Sequence, residues 1–202
     1  MVADFSAPEF AVMRSYQGDL IMGYGEMYSH HRAPDSGTAF YINDYSLSDS
    51  RPWKTFSHMG VIEVPKLPDS DVLVEWEGIE PECFATIFNE IQDLIALEQM
   101  VKSVPVVTQK GTFKQGGPLG LLANMFKHSE GLYPYAWKGK EGGFCGLSPE
   151  VFFGVRKSRL QTMALAGTAK VSDADVLAWD KKEIQEHEFV ACLLYTSDAA
   201  DD

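Results

Sequence analysis

The chain reads as an α+β protein built on antiparallel sheets. Short β-branched or aromatic runs cluster toward each end, one long segment with helical periodicity lies between them, and no strict alternation of strand and helix connects them. Leu20-Ile-Met-Gly, Ala39-Phe-Tyr-Ile, Met59-Gly-Val-Ile-Glu-Val and Val72-Leu-Val-Glu-Trp are bounded by Gly, Pro, Asp and Ser and read as strands. Between Pro81 and Lys102, the set Phe84, Ile87, Phe88, Ile91, Leu94, Ile95 and Val101 follows a helical period. This helix is expected to feed a strand, Ser103-Val-Pro-Val-Val-Thr108, whose Pro105 suits an edge or a bulge.

Gly116-Gly-Pro-Leu-Gly120 leads into a short helix through Leu121, Leu122, Met125 and Phe126. Leu132-Tyr-Pro-Tyr-Ala-Trp137, Gly143-Phe-Cys-Gly146, Val151-Phe-Phe-Gly-Val155 and Leu160-Gln-Thr-Met-Ala-Leu165 then form a predicted meander. A final helix is expected from about Asp180. There is no internal repeat or low-complexity linker.

The 202 residues, 45% of them hydrophobic, are enough for a substantial core. A formal charge of −12 argues against a nucleic-acid surface. No window holds the ~18 uncharged apolar residues that a membrane span needs. The amino terminus lacks the basic and apolar regions of a secretory signal, so the cytoplasm is the expected location. Cys83, Cys145 and Cys192 are too few and too scattered for a disulfide framework or a zinc site.

The chemistry concentrates between Phe144 and Val190. Ser148-Pro-Glu150 can fix a carboxylic acid at a rigid turn, Ala166-Gly-Thr168 can bring backbone N–H groups against a carboxylate, and Glu186-His-Glu188 can offer oxygens to a hard cation. Taken singly, each has a plainer meaning: a surface turn, a strand end, and a solvated helix face beside Lys181, Lys182 and Glu183. Lys102 alone reads as a favourable charge near a helix carboxyl terminus. His30, His31 and His58 lack ligand spacing, and Gly116, Gly117 and Gly120 fit no nucleotide fingerprint.

The order Lys102, Ser148-Pro-Glu150, Ala166-Gly-Thr168, Glu186-His-Glu188 resembles the chorismate-utilising enzymes: isochorismate, salicylate and anthranilate synthases and aminodeoxychorismate synthase component I. The resemblance covers residues 80–191 and is loose over the first 75. It implies a fold of two packed, mainly antiparallel sheets flanked by helices, with chorismate and Mg²⁺ bound in a central cleft. It also implies one chorismate-binding domain over residues 1–191, with a variable part at 1–75 and a motif-bearing part at 76–191.

By the same resemblance Glu150 is the general acid for the leaving 4-hydroxyl, and Glu186 is a Mg²⁺ ligand supported by His187 and Glu188. Backbone N–H groups around Ala166, Gly167 and Thr168 contact the substrate carboxylate. Ala166 stands where aminodeoxychorismate synthases carry a covalent Lys, which disfavours that chemistry. Lys102 stands where water-using members carry a general base and ammonia-using members, which pair with a glutamine amidotransferase, carry Gln. The implied activity is therefore isochorismate synthase, from which salicylate synthase is not separated; the alternatives are anthranilate synthase or aminodeoxychorismate synthase component I working with a glutamine amidotransferase, and a non-catalytic chorismate-binding protein. The family's Val-Val-Leu-Ser-Arg after that Lys is replaced by Ser-Val-Pro-Val-Val-Thr108.

From Cys192 to Asp202 the helical apolar period is lost, and the sequence resembles a translated library adapter. The native gene is expected to continue differently after Ala191. The family's second metal-binding Glu and its enolpyruvyl-binding Arg and Tyr lie downstream of Glu188. The chain as written is accordingly expected to bind chorismate and Mg²⁺ weakly, without turnover.

Overall fold

In a computed structural model, residues 1–67, 71–78 and 81–163 are described, together with 184, 185, 187, 188, 191 and 192. In chain order the elements are β1 (Phe10–Arg14), β2 (Leu20–His30), β3 (Phe40–Tyr41), β4 (Trp53–Ile62), β5 (Leu73–Trp76), α1 (Pro81–Ala96), β6 (Gly111–Gln115), α2 (Gly117–Lys127), β7 (Tyr133–Lys138), β8 (Gly143–Ser148), β9 (Gly154–Arg156) and β10 (Arg159–Gln161). Two compact units result, Met1–Pro65 with the chain from Ser129 onward, and Lys66–His128.

The first unit contains a six-stranded antiparallel sheet ordered β3-β4-β2-β1-β7-β8. Strand β1 turns into β2 at Ser15-Tyr-Gln-Gly18. The Gly18 N–H donates to the Ser15 carbonyl at 2.9 Å, and Gly18 takes φ 97°, a conformation that costs glycine little. Strand β2 pairs with β4 along most of its length, and the register slips between Tyr24 and Met27. There the Glu26 N–H donates to Ser57 Oγ at 3.1 Å, so the bulge leaves its donor satisfied.

Small residues in mid-sheet make room for large ones. Ala11 lies opposite both Gly23 and Trp137, and the Phe56 ring lies directly against Gly23. Ala11, Phe40 and Phe56 form a buried cluster flanked by Ile21, Met27, Ile42, Met59 and Trp137. Val12 and Met22 are 1% and 0% exposed, each burial worth about 1.5–3 kcal/mol. Strand β1 is thus buried at successive positions, which shows that both faces of the sheet are covered there.

Cations clamp both ends of the β1–β7 pair. Arg14 Nη1 donates to the carbonyls of Ser129 and Leu132 at 3.2 and 3.1 Å, and Lys138 Nζ donates to the Ala7 carbonyl at 3.3 Å. Lys54, with 8% of its surface exposed, is satisfied by Asp49 Oδ2 at 2.6 Å, the Arg51 carbonyl at 2.7 Å and Ser29 Oγ at 3.1 Å. This set of acceptors makes the buried ammonium tolerable. It also fixes the 43–51 loop, where Asn43 Oδ1 accepts the Asp44 and Asp49 N–H groups.

In the second unit β5 and β6 form a two-stranded antiparallel ribbon. Helix α1 begins at Pro81, whose fixed φ suits a first turn, and Glu82 complements the helix dipole. Its stop is a Schellman motif. Glu98 sits at φ 58°, its N–H donates to Ile95 O at 3.0 Å, and the Gln99 N–H donates to Leu94 O at 2.9 Å. No residue of α1 is buried, although its apolar stripe is the strongest helical signal in the sequence. Helix α2 buries Leu122, Ala123, Met125 and Phe126.

The α+β class with antiparallel sheets is observed, with differences in detail. Among the described residues the strands form one six-stranded sheet and two two-stranded ribbons, rather than two packed sheets. Ser103–Thr108 has no strand pairing, since Pro105 removes a ladder donor in a segment already released by the helix stop. Lys102 accordingly lies past the end of α1 rather than in its last turn. The meander breaks after β8, because β9 pairs only with β10. The expected strands there shrink to Gly154–Arg156 and Arg159–Gln161, and the predicted stretch from residue 164 lies outside the described residues. Strand β1 is an addition to the expected set. No described helix is long and apolar enough to cross a membrane.

Two expectations follow from these contacts. A Cβ at Gly143 would fall on the Trp137 carbonyl oxygen and 2.9 Å from Lys138 Cα, whereas one at Gly146 would meet the movable end of the Tyr135 ring. Gly143→Ala is therefore expected to destabilise by about 1–3 kcal/mol and Gly146→Ala by less, read as thermal melts of the two variants. Equal losses would contradict this packing.

Asp49 is held below the usual carboxylate range, chiefly by the Lys54 hydrogen bond and then by the Arg51 N–H. A depressed folded value means that its stabilisation is present above the ordinary carboxylate range and is lost as pH falls through the folded value. Asp49→Asn should flatten the decline of Tm on acidification, and a melt series from neutral to acid pH that superimposes on the parent's decline would refute the assignment.

Candidate functional site

The Ser148-Pro-Glu150 turn is carried by the edge of the large sheet. Strand β8 pairs with β7 from Gly143 opposite Lys138 to Ser148 opposite Tyr133, and Phe144 packs edge-on against Tyr135 and Trp137 at 5.8 Å each. Pro149 cannot donate a ladder hydrogen bond, so the strand ends at Ser148. Ser148 Oγ then accepts the Glu150 N–H at 3.1 Å and donates to the Glu150 carbonyl at 2.7 Å. Both backbone polar groups of Glu150 are thereby tied to one hydroxyl, and the residue itself stays exposed. This arrangement fixes the backbone of an acid while leaving its carboxyl group open to a ligand.

The chain beyond Glu150 is tied to the segment that follows β10. The Val151 N–H lies 3.3 Å from Met163 Sδ, and Thr162 Oγ1 donates to the Phe152 carbonyl at 2.6 Å. The β9–β10 hairpin between these contacts is reached by Tyr16, whose hydroxyl donates to Gln161 Oε1 and whose ring lies against Gly154. Gly154 and Gln161 are themselves paired across the hairpin. The Cys145 thiol, two residues before Leu147, is pushed up by burial and so stays protonated and unreactive at neutral pH. None of the three cysteines forms a disulfide among the described residues.

Of the residues singled out in the sequence, Ser148 and Glu150 are brought together by hydrogen bonds among the described residues. Lys102 is exposed and belongs to the 66–128 unit, while Glu150 belongs to the other. His187 and Glu188 are helical and exposed, in agreement with the final helix expected there. Ala166, Gly167, Thr168 and Glu186 lie outside the described residues.

Among the described residues no group of three or more His, Cys, Asp or Glu side chains could hold a metal ion. Glu188 is exposed at a helical position and carries a hard oxygen donor of the kind Mg²⁺ prefers, while the expected ligand Glu186 lies outside the described residues.

Sequence reasoning missed Tyr16, Gln161, Thr162 and Met163, which fix the chain around Glu150. The signal for Tyr16 lay in Phe10-Ala-Val-Met ahead of a Ser-Tyr-Gln-Gly turn, a short strand with its hairpin punctuation. No local pattern marks the other three.

A family model described as chorismate binding enzyme matches residues 28–197. No curated protein and no solved structure matches the chain. The family match spans most of the sequence and includes every motif from Lys102 to Glu188; the chain belongs to the chorismate binding enzyme family.

Proposed function

We propose that this family member is an isochorismate synthase. The choice of water as nucleophile rests on Lys102 and Ala166, and the observation that supports a general acid is Glu150, its backbone fixed by Ser148 and the residue exposed. Lys102 takes a proton from water as the water oxygen bonds to C2 of chorismate. Glu150, as the carboxylic acid, gives a proton to the 4-hydroxyl as the C4–O bond breaks. One water enters and one leaves, so the product is an isomer of the substrate. Backbone N–H groups at Gly167 and Thr168 orient the ring carboxylate, and Ala166 leaves no amine there for covalent attack.

Glu186, supported by His187 and Glu188, would hold Mg²⁺, which when bound supplies charge neutralisation at the substrate carboxylate. The reading needs no amidotransferase partner, since water rather than ammonia is the nucleophile.

The test is product analysis with chorismate and Mg²⁺ in a form of the enzyme that turns chorismate over. Lys102→Ala and Glu150→Gln are each expected to lower isochorismate formation by about 10²–10⁴-fold. Full activity in Lys102→Ala would remove the base assignment, and anthranilate formed with added ammonia would replace the reading by the amidotransferase-linked one. Chelation by EDTA is expected to abolish turnover and added Mg²⁺ to restore it; activity that survives chelation would remove the metal from the scheme.

A further inference from the structure

We propose that Tyr16 is a positioning residue for Glu150, acting through the β9–β10 hairpin; the catalytic meaning of this rests on the general-acid reading above. Tyr16 stands at the second position of the β1–β2 turn, a tight loop closed by Ser15 N–H to Asp19 O at 2.7 Å and Gly18 N–H to Ser15 O at 2.9 Å. That turn is anchored by β1, whose end Arg14 holds by its bonds to Ser129 and Leu132. The Tyr16 side chain is therefore projected from a rigid base, and it contacts both members of one hairpin pair: its ring covers Gly154, and its hydroxyl bonds Gln161.

Gly154 is buried, and a Cβ there would lie 2.8 and 2.9 Å from Tyr16 Cγ and Cδ1, so the glycine permits this approach. From that clamped pair the two strands continue side by side toward the acid. Thr162 bonds Phe152, Met163 meets the Val151 N–H, and Glu150 follows directly. On its other side Glu150 is held by Ser148. Two supports from different parts of the sheet thus converge on one residue. The Ser148 support is local, whereas the Tyr16 support links the first turn of the protein to the acid over more than a hundred residues of sequence.

Amide hydrogen exchange in the 202-residue chain tests this without depending on turnover. Tyr16→Phe and Gln161→Leu are each expected to speed exchange at Val151, Gly154 and Gln161 by about fivefold, the worth of one neutral hydrogen bond. Because both remove the same bond, the double variant should match the singles. Gln161→Glu keeps an acceptor for the tyrosine hydroxyl and should restore slow exchange. Gly154→Ala, which displaces the ring, should reproduce the Tyr16→Phe pattern.

Val12 and Ala136 in the large sheet should be unaffected, which separates positioning from general loosening of the fold. Unchanged exchange at Val151 in Tyr16→Phe, failure of the Gln161→Glu rescue, or a parallel rise at Val12 and Ala136 would each overturn the proposal. If the exchange pattern holds while Glu150→Gln leaves chorismate turnover intact, the clamp stands and the general-acid reading falls.

Discussion

The rest of the large unit depends on the antiparallel pairing of β1 with β7. It joins Phe10 to Lys138 and Met13 to Tyr135, so it closes a loop of well over a hundred residues. Such a closure is entropically costly, although the cost rises only slowly with length. The offset comes from burial of β1 at successive positions and from the cation clamps at both ends of the pair. Each clamp places a charged nitrogen on backbone carbonyls of the partner segment, which fixes the register. A slip of one residue would turn Val12 and Ala136 to the opposite face and misplace both clamps. Without this pair β8 has no support, and the acid at its end has no fixed place.

The acid itself illustrates a division of labour. Its backbone is constrained by short hydrogen bonds from a neighbouring hydroxyl, while its side chain retains access to solvent. Holding the main chain removes positional freedom before any ligand arrives, which favours reaction from a bound complex. Under the proposed general-acid role, the exposed carboxyl leaves its final surroundings to be completed by the ligand. The family assignment rests on the match across residues 28–197, whereas the choice of nucleophile rests on Lys102 and Ala166 alone.

Local pattern revealed much of the fold and less of the site. Helix α1 was legible because its apolar residues repeat at helical spacing, and β2, β4, β5, β7 and β8 because short apolar runs are bounded by turn residues. The end of α1 was not legible, because Glu98 rather than glycine occupies the left-handed position of the stop. That misplacement carried Lys102 onto the helix and made Ser103–Thr108 look like a continuing strand. The sheet order was also beyond reach, since nothing near Phe10 points to Tyr133–Lys138. In the site, Ser148-Pro-Glu150 announced its own turn, but the Tyr16 clamp depends on residues that meet only after the sheet has formed.

The position of β1 between β2 and β7 has a further consequence for synthesis of the protein. Its first partner, β2, is only a turn away, so that hairpin can form early on an emerging chain. Its second partner follows only after the whole 66–128 unit has been made. During that interval an apolar strand offers an unsatisfied row of N–H and C=O groups, a template that any extended segment can occupy. The 66–128 insertion therefore acts as a delay between the two halves of one sheet. The yield of native protein in cells then becomes a contest between arrival of β7 and capture of the open edge, decided by translation rate and chaperone access as much as by the stability of the finished fold.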